Sequence, residues 1–241
     1  MANQTNNRQA GADWYSIVQD MESAAIIGCG GIGSWLALFL NKIGLSLTLF
    51  DFDKVEAHNI GGQIFGRIGV NQYKSAALFE TIQLFGNPNV KVQPSTLSAA
   101  EAIFKHIPII LSGVDTLQAR KEILIELENP AGTWKIYIDG RLRLNEFQIY
   151  VVYNNPADIK RYKDILEATV DTPEPCNAQQ TSYMAAMIGS YMTNLLLNYY
   201  INIKNNADIT EKIFKLSFNA ENNQLTKELY GPETIITGNI K

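Results

Sequence analysis

The sequence predicts a Rossmann-like, doubly wound α/β fold, with a mostly parallel sheet, an antiparallel C-terminal part and helices on both faces. Three observations lead to this prediction. Apolar segments of strand length alternate with segments of helical periodicity through residues 22–138. A glycine-rich turn at 28–33 joins the first strand to the first helix, where such folds bind nucleotides. Residues 147–153 alternate in hydrophobicity, as antiparallel strands often do.

The elements of the N-terminal half follow from periodicity and from the positions of glycine. The first strand is predicted at 22–28, and the next helix at 31–43, where Gly44 stops it. The second strand, 46–50, carries no charged residue, as expected of a strand buried on both faces. Residues 53–70 contain four glycines and few periodic apolar residues, so we predict a long loop there.

The remaining elements follow from the same signals. Helices are predicted at 73–85, 98–104, 117–127 and 181–203, with a short one at 159–168 inside a loop region, 154–177. Further strands are predicted at 89–93, 107–114 and 134–138. A short amphipathic segment is predicted at 13–19, and a closing hairpin at 212–218 and 225–230. The segment Asp139-Gly140-Arg141 follows a strand directly and is interpreted as a structural turn.

Length and charge narrow the classes of function. At 241 residues the chain could form one large α/β domain or two small ones. Since no repeat or linker is visible, we predict one domain over 1–241 with an N-terminal arm at 1–22. A net charge of −4 argues against nucleic acid as the main partner. The longest apolar stretch, 24–40, contains four glycines, so we predict no membrane span.

The cysteines indicate the compartment and exclude one kind of metal site. Two cysteines, Cys29 and Cys176, do not form a disulfide framework, and no signal peptide is visible, so a reducing cytoplasm is predicted. A structural zinc site built from four cysteines is impossible within one chain.

The glycine turn is the strongest functional signal. Gly28, Gly30, Gly31 and Gly33 would let the backbone approach phosphate oxygens, and the following helix would present free N–H groups to them. Asp51, at the end of the second strand, can bind ribose hydroxyls. Alone, this pattern would also fit an NAD-dependent oxidoreductase.

Further polar residues favour a triphosphate with magnesium over a dinucleotide. Asp53, Asn59, Gln63 and Lys74 follow the second strand, and Asp115 follows a later one. A dehydrogenase has no need for these additional groups. Simpler roles remain open: Asp115 could cap the next helix, Lys74 could be a solvated helix residue, and Asn59 could be a turn residue.

Taken in order, these motifs resemble the ThiF/MoeB/HesA family, relatives of the ubiquitin-activating enzymes. The similar segment runs from about residue 23 to residue 120, and a weaker similarity continues through Cys176 and the helix after it. The matching elements are the glycine turn, the Asp51-x-Asp53-x-Val55 segment, Asn59, Gln63 and Lys74, and Asp115.

The resemblance implies a homodimeric adenylyltransferase that uses ATP and Mg²⁺. Its partner would be a small ubiquitin-like or sulfur-carrier protein, whose C-terminal glycine carboxylate attacks the α-phosphate. The four glycines would bind phosphates, Asp51 the ribose with help from Asp53, and Gln63 would belong to the nucleotide site. Asn59 and Lys74 would bind phosphates and Asp115 would hold magnesium. The loop at 53–70 would order over ATP.

The chain departs from the family pattern in three places: it lacks the four-cysteine zinc site that the family often carries, and two single positions differ. Gly62 stands where the family has an arginine, and Arg67 or Arg8 (the latter reaching the other protomer's site) could supply the missing charge. Without either, the protein would be a catalytically weakened ATP-binding interaction module. Asn71 stands where the family has a glycine before Lys74, and asparagine tolerates the same left-handed backbone.

Cys176 is a further candidate because family members often carry a cysteine in a loop near this place. Two prolines and polar neighbours surround it, just before the long helix. It could receive the activated partner as a thioester or a disulfide-linked adduct, or it could be an ordinary loop residue.

Overall fold

The computed structural model describes residues 13–88, 90–95, 106–169, 181–205, 212–230 and 235–239. The strands in these ranges are β1 (Ala24–Ile27), β2 (Leu47–Phe50), β3 (Val92–Ser95), β4 (Ile109–Ser112), β5 (Ile136–Arg143), β6 (Glu146–Tyr153), β7 (Ile213–Asn219), β8 (Gln224–Leu229) and β9 (Ile235–Asn239). The helices are α1 (Asp13–Asp20), α2 (Gly31–Ile43), α3 (Lys74–Phe85), α4 (Leu117–Leu127), α5 (Pro156–Ala168) and α6 (Ser182–Lys204).

All of these strands belong to one sheet in the order β3-β2-β1-β4-β5-β6-β7-β8-β9. The pairs from β3 to β5 are parallel, and those from β5 to β9 are antiparallel. β1 lies between β2 and β4, so the order of the parallel strands reverses there. The register sets Ile27 beside both Phe50 and Ser112, which aligns three carboxyl ends. Ligands of open α/β sheets bind at this kind of crevice.

Helices cover both faces of the sheet, because successive side chains of a buried strand point to opposite faces. Ile26 packs in the core under α2, α3 and α6, whereas Ala25 and Ile27 pack in the core under α4 and α5. The large core residues that the helices contribute include Leu36, Leu78, Ile188, Ile123 and Tyr162. The predicted fold class is therefore confirmed, including the antiparallel C-terminal part.

The predicted turn at 139–141 is wrong. β5 continues through these residues to Arg143 and pairs with β6 along its whole length. The chain turns at Leu144 instead, whose φ is +47°. An Asp-Gly pair is a strong turn signal in a sequence. Here Asp139 is fully buried, and its charge is paired with Arg120 and Arg141. An aspartate can therefore lie inside this strand.

The predicted loop at 53–70 has more structure than its glycines indicate. It contains two 3₁₀ turns, Ala57–Gly61 and Arg67–Gly69. Val55 and Phe65 are buried, at 0% and 3% exposure. The indole N–H of Trp35 on α2 also donates to the carbonyl of Gly62 at 3.2 Å. The segment is thus packed against the domain through two apolar side chains.

Other boundaries shift less. α5 begins earlier than predicted because Asn155 caps it, accepting from the N–H of Asp158 at 3.0 Å. β9 was not predicted. The predicted helix at 98–104, Arg8 and Cys176 lie outside the described residues. No helix of the described ranges is long and apolar enough to cross a membrane. The assignment of 1–241 to a single domain stays a prediction.

Candidate functional site

A cavity of about 510 Å³ opens at the carboxyl ends of the central parallel strands. This volume is in the range of small-molecule sites, roughly 300–1,000 Å³. Its walls come from the glycine turn, the end of β2, the start of α3 and the loop between β4 and α4. Eight predicted site residues line it: Gly28, Gly30, Gly31, Asp51, Asp53, Gln63, Lys74 and Asp115.

The glycines of the turn have different surroundings. Gly28 has φ +85°, a left-handed conformation that favours glycine. A Cβ on Gly33 would lie 1.8 Å from the carbonyl oxygen of Gly28, and Gly33 does not line the cavity. A Cβ on Gly30 would meet nothing closer than the Gln63 side-chain nitrogen, at 3.9 Å. Gly33 therefore allows α2 to pack on the turn, whereas Gly30 leaves open space in the cavity wall.

Asp51 is held by the backbone around it. Its carboxylate accepts hydrogen bonds from the N–H groups of Cys29 at 2.7 Å and Asp53 at 2.8 Å. Burial raises the pKa of Asp51 above its ordinary value, although these hydrogen bonds and the charge of Lys74 oppose the shift. Each carboxylate oxygen has more than one acceptor site, so the group can still accept from ligand hydroxyls.

Lys74 and Asp53 form an ion pair at the cavity wall. Lys74 Nζ lies 2.9 Å from Asp53 Oδ2, with the lysine side chain 14% exposed and the aspartate side chain 57% exposed. The backbone N–H of Lys74 also donates to the carbonyl of Asp53 at 2.8 Å. Asn71 has φ +73°, which confirms the left-handed backbone predicted before this lysine. The chain thus holds an ammonium group beside the glycine turn.

The segment after β2 contributes Gln63 to the cavity but not Asn59 or Arg67. The Gln63 side-chain oxygen is buried and has no hydrogen-bond partner in the structure. Asn59 instead accepts from the backbone N–H of Glu56 at 2.9 Å, and Arg67 is exposed. Neither residue lines the cavity. Their predicted roles toward phosphate stay predictions.

Asp115 lies on the loop between β4 and α4 and is exposed. The N-cap of α4 is Thr116, whose hydroxyl accepts from the N–H of Ala119 at 3.1 Å. Asp115 is therefore not the cap of this helix. Among the described residues, no hydrogen bond or ion pair engages its carboxylate, which remains available to a ligand.

Two further features were not predicted from the sequence. Val114, Ala119 and Ile123 contribute apolar surface to the cavity, on the same loop and helix as Asp115. Behind the Asp115 loop, Asp139 lies between Arg120 and Arg141 as a buried ion cluster. Its sequence signal was present, because a carboxylate two residues from an arginine follows a buried strand, but the pattern was interpreted as a turn.

These residues fit a nucleotide with a divalent cation. The partnerless Gln63 oxygen and the open space at Gly30 leave room and a polar atom for a ligand. The described ranges contain no group of three or more His, Cys, Asp or Glu that could hold a metal alone. Magnesium usually binds one or two carboxylates together with substrate phosphates, and Asp115 fits that pattern.

The fold and this cavity place the chain among the Rossmann-like α/β proteins. It belongs to the ThiF family, whose model matches residues 3–230. Ubiquitin-like modifier-activating enzyme 5 of Drosophila grimshawi is 26% identical over 252 residues, covering 91% of this chain and 60% of the relative. The Aedes aegypti enzyme of that name is 25% identical over 215 residues, covering 78% and 52%. The chain thus spans little more than half of these relatives.

Solved structures show the same fold. PaaA matches with a TM-score of 0.61 and 18% identity, over 95% of this chain and 75% of PaaA. Escherichia coli MccB matches with a TM-score of 0.64 and 14% identity, over 98% of this chain and 70% of MccB. A structure of MccB with ATP has a TM-score of 0.58 and 12% identity, over 94% of this chain and 66% of MccB.

Proposed function

We propose that this protein is an ATP-dependent adenylyltransferase that activates the C-terminal carboxylate of a small ubiquitin-like or sulfur-carrier protein. One observation carries the proposal: Asp51, Lys74 and Asp115 lie with the glycine turn around a single cavity. Membership of the ThiF family supports it, as do relatives named as ubiquitin-like modifier-activating enzymes. The similar structure of MccB with ATP supports the choice of nucleotide.

In this proposal ATP lies along the cavity from the strand ends to the start of α2. Asp51 accepts hydrogen bonds from the ribose hydroxyls. The phosphates approach the turn at Gly30, where the wall is open, and meet the N-terminus of α2. Lys74 turns from the more exposed Asp53 to a phosphate oxygen, which offers the ammonium group another anionic partner. The Gln63 side-chain oxygen, which lacks a donor, accepts a hydrogen bond from a hydroxyl or amino group of the nucleotide.

The reaction requires positioning and charge stabilisation more than covalent chemistry by the protein. A carboxylate oxygen of the partner's terminal glycine bonds to the α-phosphorus of ATP. The bond from that phosphorus to the bridging oxygen breaks, and pyrophosphate leaves with the electron pair. Lys74 compensates the negative charge on the phosphates. Magnesium held by Asp115 would neutralise further phosphate charge and orient the triphosphate.

A second candidate is an ATP-binding interaction module with weak or no catalysis. Gly62 stands where the family has an arginine and so brings no positive charge to the site. Arg67 is exposed and does not line the cavity. This observation favours the second candidate unless Arg8 from a partner copy completes the site. The two candidates differ in turnover and agree on ATP binding.

Three finer proposals accompany the first. The protein acts as a homodimer in a reducing cytoplasm, with the arm that carries Arg8 reaching the other protomer. The thiolate of Cys176 then bonds to the acyl carbon of the adenylated partner, the acyl–phosphate bond breaks, AMP leaves, and the partner is held as a thioester. We expect Cys176→Ala to leave adenylation intact while abolishing this thiol-labile adduct, as checked by gel electrophoresis with and without thiol.

The test of the proposal is ATP–pyrophosphate exchange in the presence of candidate carrier proteins with a C-terminal glycine. A matched carrier that lacks this glycine serves as the control. We expect exchange only with the intact carrier and only with magnesium. Magnesium-dependent ATP binding without exchange for any carrier would favour the non-catalytic module and contradict the adenylyltransferase.

A further inference from the structure

A carboxylate lies fully buried behind the cavity and is saturated with donors. Asp139 accepts from Ser112 Oγ at 2.9 Å, from Tyr162 OH at 3.0 Å and from Arg141 Nε at 2.7 Å. The Nε of Arg120 lies 3.3 Å from both of its oxygens. Burial alone would raise the pKa of Asp139, but the two guanidinium groups and these hydrogen bonds hold it below its ordinary value. The ionised carboxylate therefore fixes two arginines.

Arg120 connects this carboxylate to the loop that carries Asp115. It lies in the first turn and a half of α4, so its side chain reaches back over the helix N-terminus. Its Nη1 donates to the carbonyl of Thr116 at 3.3 Å, and its Nη2 donates to the carbonyl of Val114. These carbonyls belong to the residues on either side of Asp115. One guanidinium thus holds the loop on both sides of the exposed carboxylate.

From this arrangement we infer that Arg120, fixed by Asp139, is a positioning residue that holds Asp115 at the cavity for a magnesium–triphosphate. The inference deepens the proposed function and rests on it for the identity of the ligand. Arg120 needs no contact with the nucleotide in this role. Its planar fork is suited to the task, because it can donate in three directions at once while Asp139 neutralises its charge.

Arg141 offers a matched comparison within the same cluster. It contacts Asp139 more closely than Arg120 does, and its guanidinium carbon lies 4.3 Å from the centre of the Tyr150 ring. Among the described residues, it contacts neither of the two loop carbonyls that Arg120 contacts. If the arginines only neutralised buried Asp139, both would have the same role. If the Asp115 loop must be held in place, only Arg120 can do so.

The test compares Arg120→Lys with Arg141→Lys in the full chain. Each variant keeps a positive charge, but a lysine at 120 cannot reach the carboxylate and both carbonyls together. For Arg120→Lys we expect ATP affinity without magnesium to stay at the wild-type level. The gain in ATP affinity on adding magnesium should fall by about tenfold, with a rise of similar size in the KM for ATP, and kcat of pyrophosphate exchange should fall by about 100-fold. Arg141→Lys should match the wild type in ATP affinity without magnesium, in the gain on adding magnesium and in the kinetics of exchange.

A measurement on the ligand-free protein separates this inference from the proposed function. NMR order parameters of the backbone amides of residues 114–116 should fall in Arg120→Lys and not in Arg141→Lys. Equal effects of the two variants, or a lower melting temperature with unchanged magnesium dependence and unchanged loop order, would overturn the inference. Absent exchange in the wild type would contradict only the proposed function, because the loop measurement needs no ligand.

If Arg120→Lys does not fold, Asp139→Asn tests the same chain of contacts. The amide oxygen can still accept from Arg120 Nε, but the charge that fixes the guanidinium is gone. We expect the magnesium-dependent gain in ATP affinity to fall in this variant also. An unchanged gain, with Asp139→Asn folded, would contradict the inference.

Discussion

Gly30 and Gly33 lie three residues apart in one turn and have opposite surroundings. We expect Gly30→Ala to fold normally but to weaken ATP binding by about tenfold, because its methyl group would occupy the open space in the cavity wall. Gly33→Ala should instead lower the free energy of unfolding by several kcal/mol, since its Cβ would overlap the Gly28 carbonyl oxygen. Calorimetric titration and thermal unfolding check the pair. Equal effects of both variants on stability would contradict this account.

Asp115 is expected to act on the ligand and not on the fold. Among the described residues, no hydrogen bond or ion pair engages its carboxylate, so Asp115→Ala should leave the melting temperature close to that of the wild type. The rate of pyrophosphate exchange should fall by about 100-fold or more. The control is Asn155→Ala, outside the cavity lining, which should cost about 1 kcal/mol of stability through the lost cap of α5 but should retain exchange. Near wild-type exchange in Asp115→Ala would exclude its assignment to magnesium.

Asp51 gives a pH dependence with a defined sign. Because burial raises its pKa, Asp51 becomes protonated at a higher pH than an exposed aspartate does. ATP affinity should therefore fall as the pH decreases through that raised pKa. The stability of the ligand-free protein changes in the opposite sense: Asp51 contributes stability at low pH that is lost as the pH rises through its folded-state pKa.

The comparison that isolates this effect is Asp51→Asn. In the acidic range the protonation of ATP itself changes the measured affinity of both proteins equally. The difference in affinity between the two proteins therefore reports the protonation of Asp51. We expect the variant to bind ATP more weakly at neutral pH and to lose the extra acid dependence. If ATP affinity depends on pH in the same way in the wild type and in Asp51→Asn, Asp51 does not bind the ribose.

At the scale of elements, the parallel half of the fold could be predicted from the sequence because its signals are local. β2 and β4 are short apolar runs without charge, and α2 ends at Gly44, which has φ +107°. The residues predicted for the nucleotide site belong to this half. Eight of the predicted site residues line one cavity because they follow the carboxyl ends of neighbouring parallel strands.

The antiparallel half was harder to predict because its strands carry polar side chains. β8, with the sequence Gln-Leu-Thr-Lys-Glu-Leu, is half-buried at every position, so hydrophobic alternation defines it poorly. β5 continues past Asp139, whose charge is neutralised by Arg120, 19 residues before it, and by Arg141, two residues after it. The nearby Arg141 is visible in the sequence, but the pairing of Asp139 with the distant Arg120 has no local sequence signal. The buried cluster was missed for this reason.

The packing of the segment between β2 and α3 is expected to depend strongly on the side chain of Phe65. Phe65→Ala should loosen the segment and destabilise it by about 3 kcal/mol, because Phe65 is 3% exposed. ATP binding should weaken as well, since Gln63 lies two residues away at the cavity. Ile68→Ala is the matched control in the same segment, because Ile68 is 89% exposed. Hydrogen exchange of residues 55–70 and ATP titration test this, and similar results for the two variants would contradict it.

At the scale of the whole molecule, α6 connects the two halves of the sheet. Met184, Ile188 and Met192 on this helix are fully buried in the same core as Ile26 of the parallel half and Ile149 of the antiparallel half. The cavity lies at the carboxyl ends of the parallel strands. The buried Asp139 cluster lies between this cavity and strands β5 and β6. Nucleotide binding is therefore the proposed function of the parallel half of one continuous sheet.

The measurement that tests this claim most directly is calorimetric titration of the wild-type protein with ATP, with and without magnesium, and with NAD as the comparator. The account predicts ATP binding that magnesium strengthens, and no binding of NAD. NAD binding without ATP binding would contradict it. That result would mean that the glycine turn serves a dinucleotide and that Lys74 and Asp115 are at the cavity for another reason.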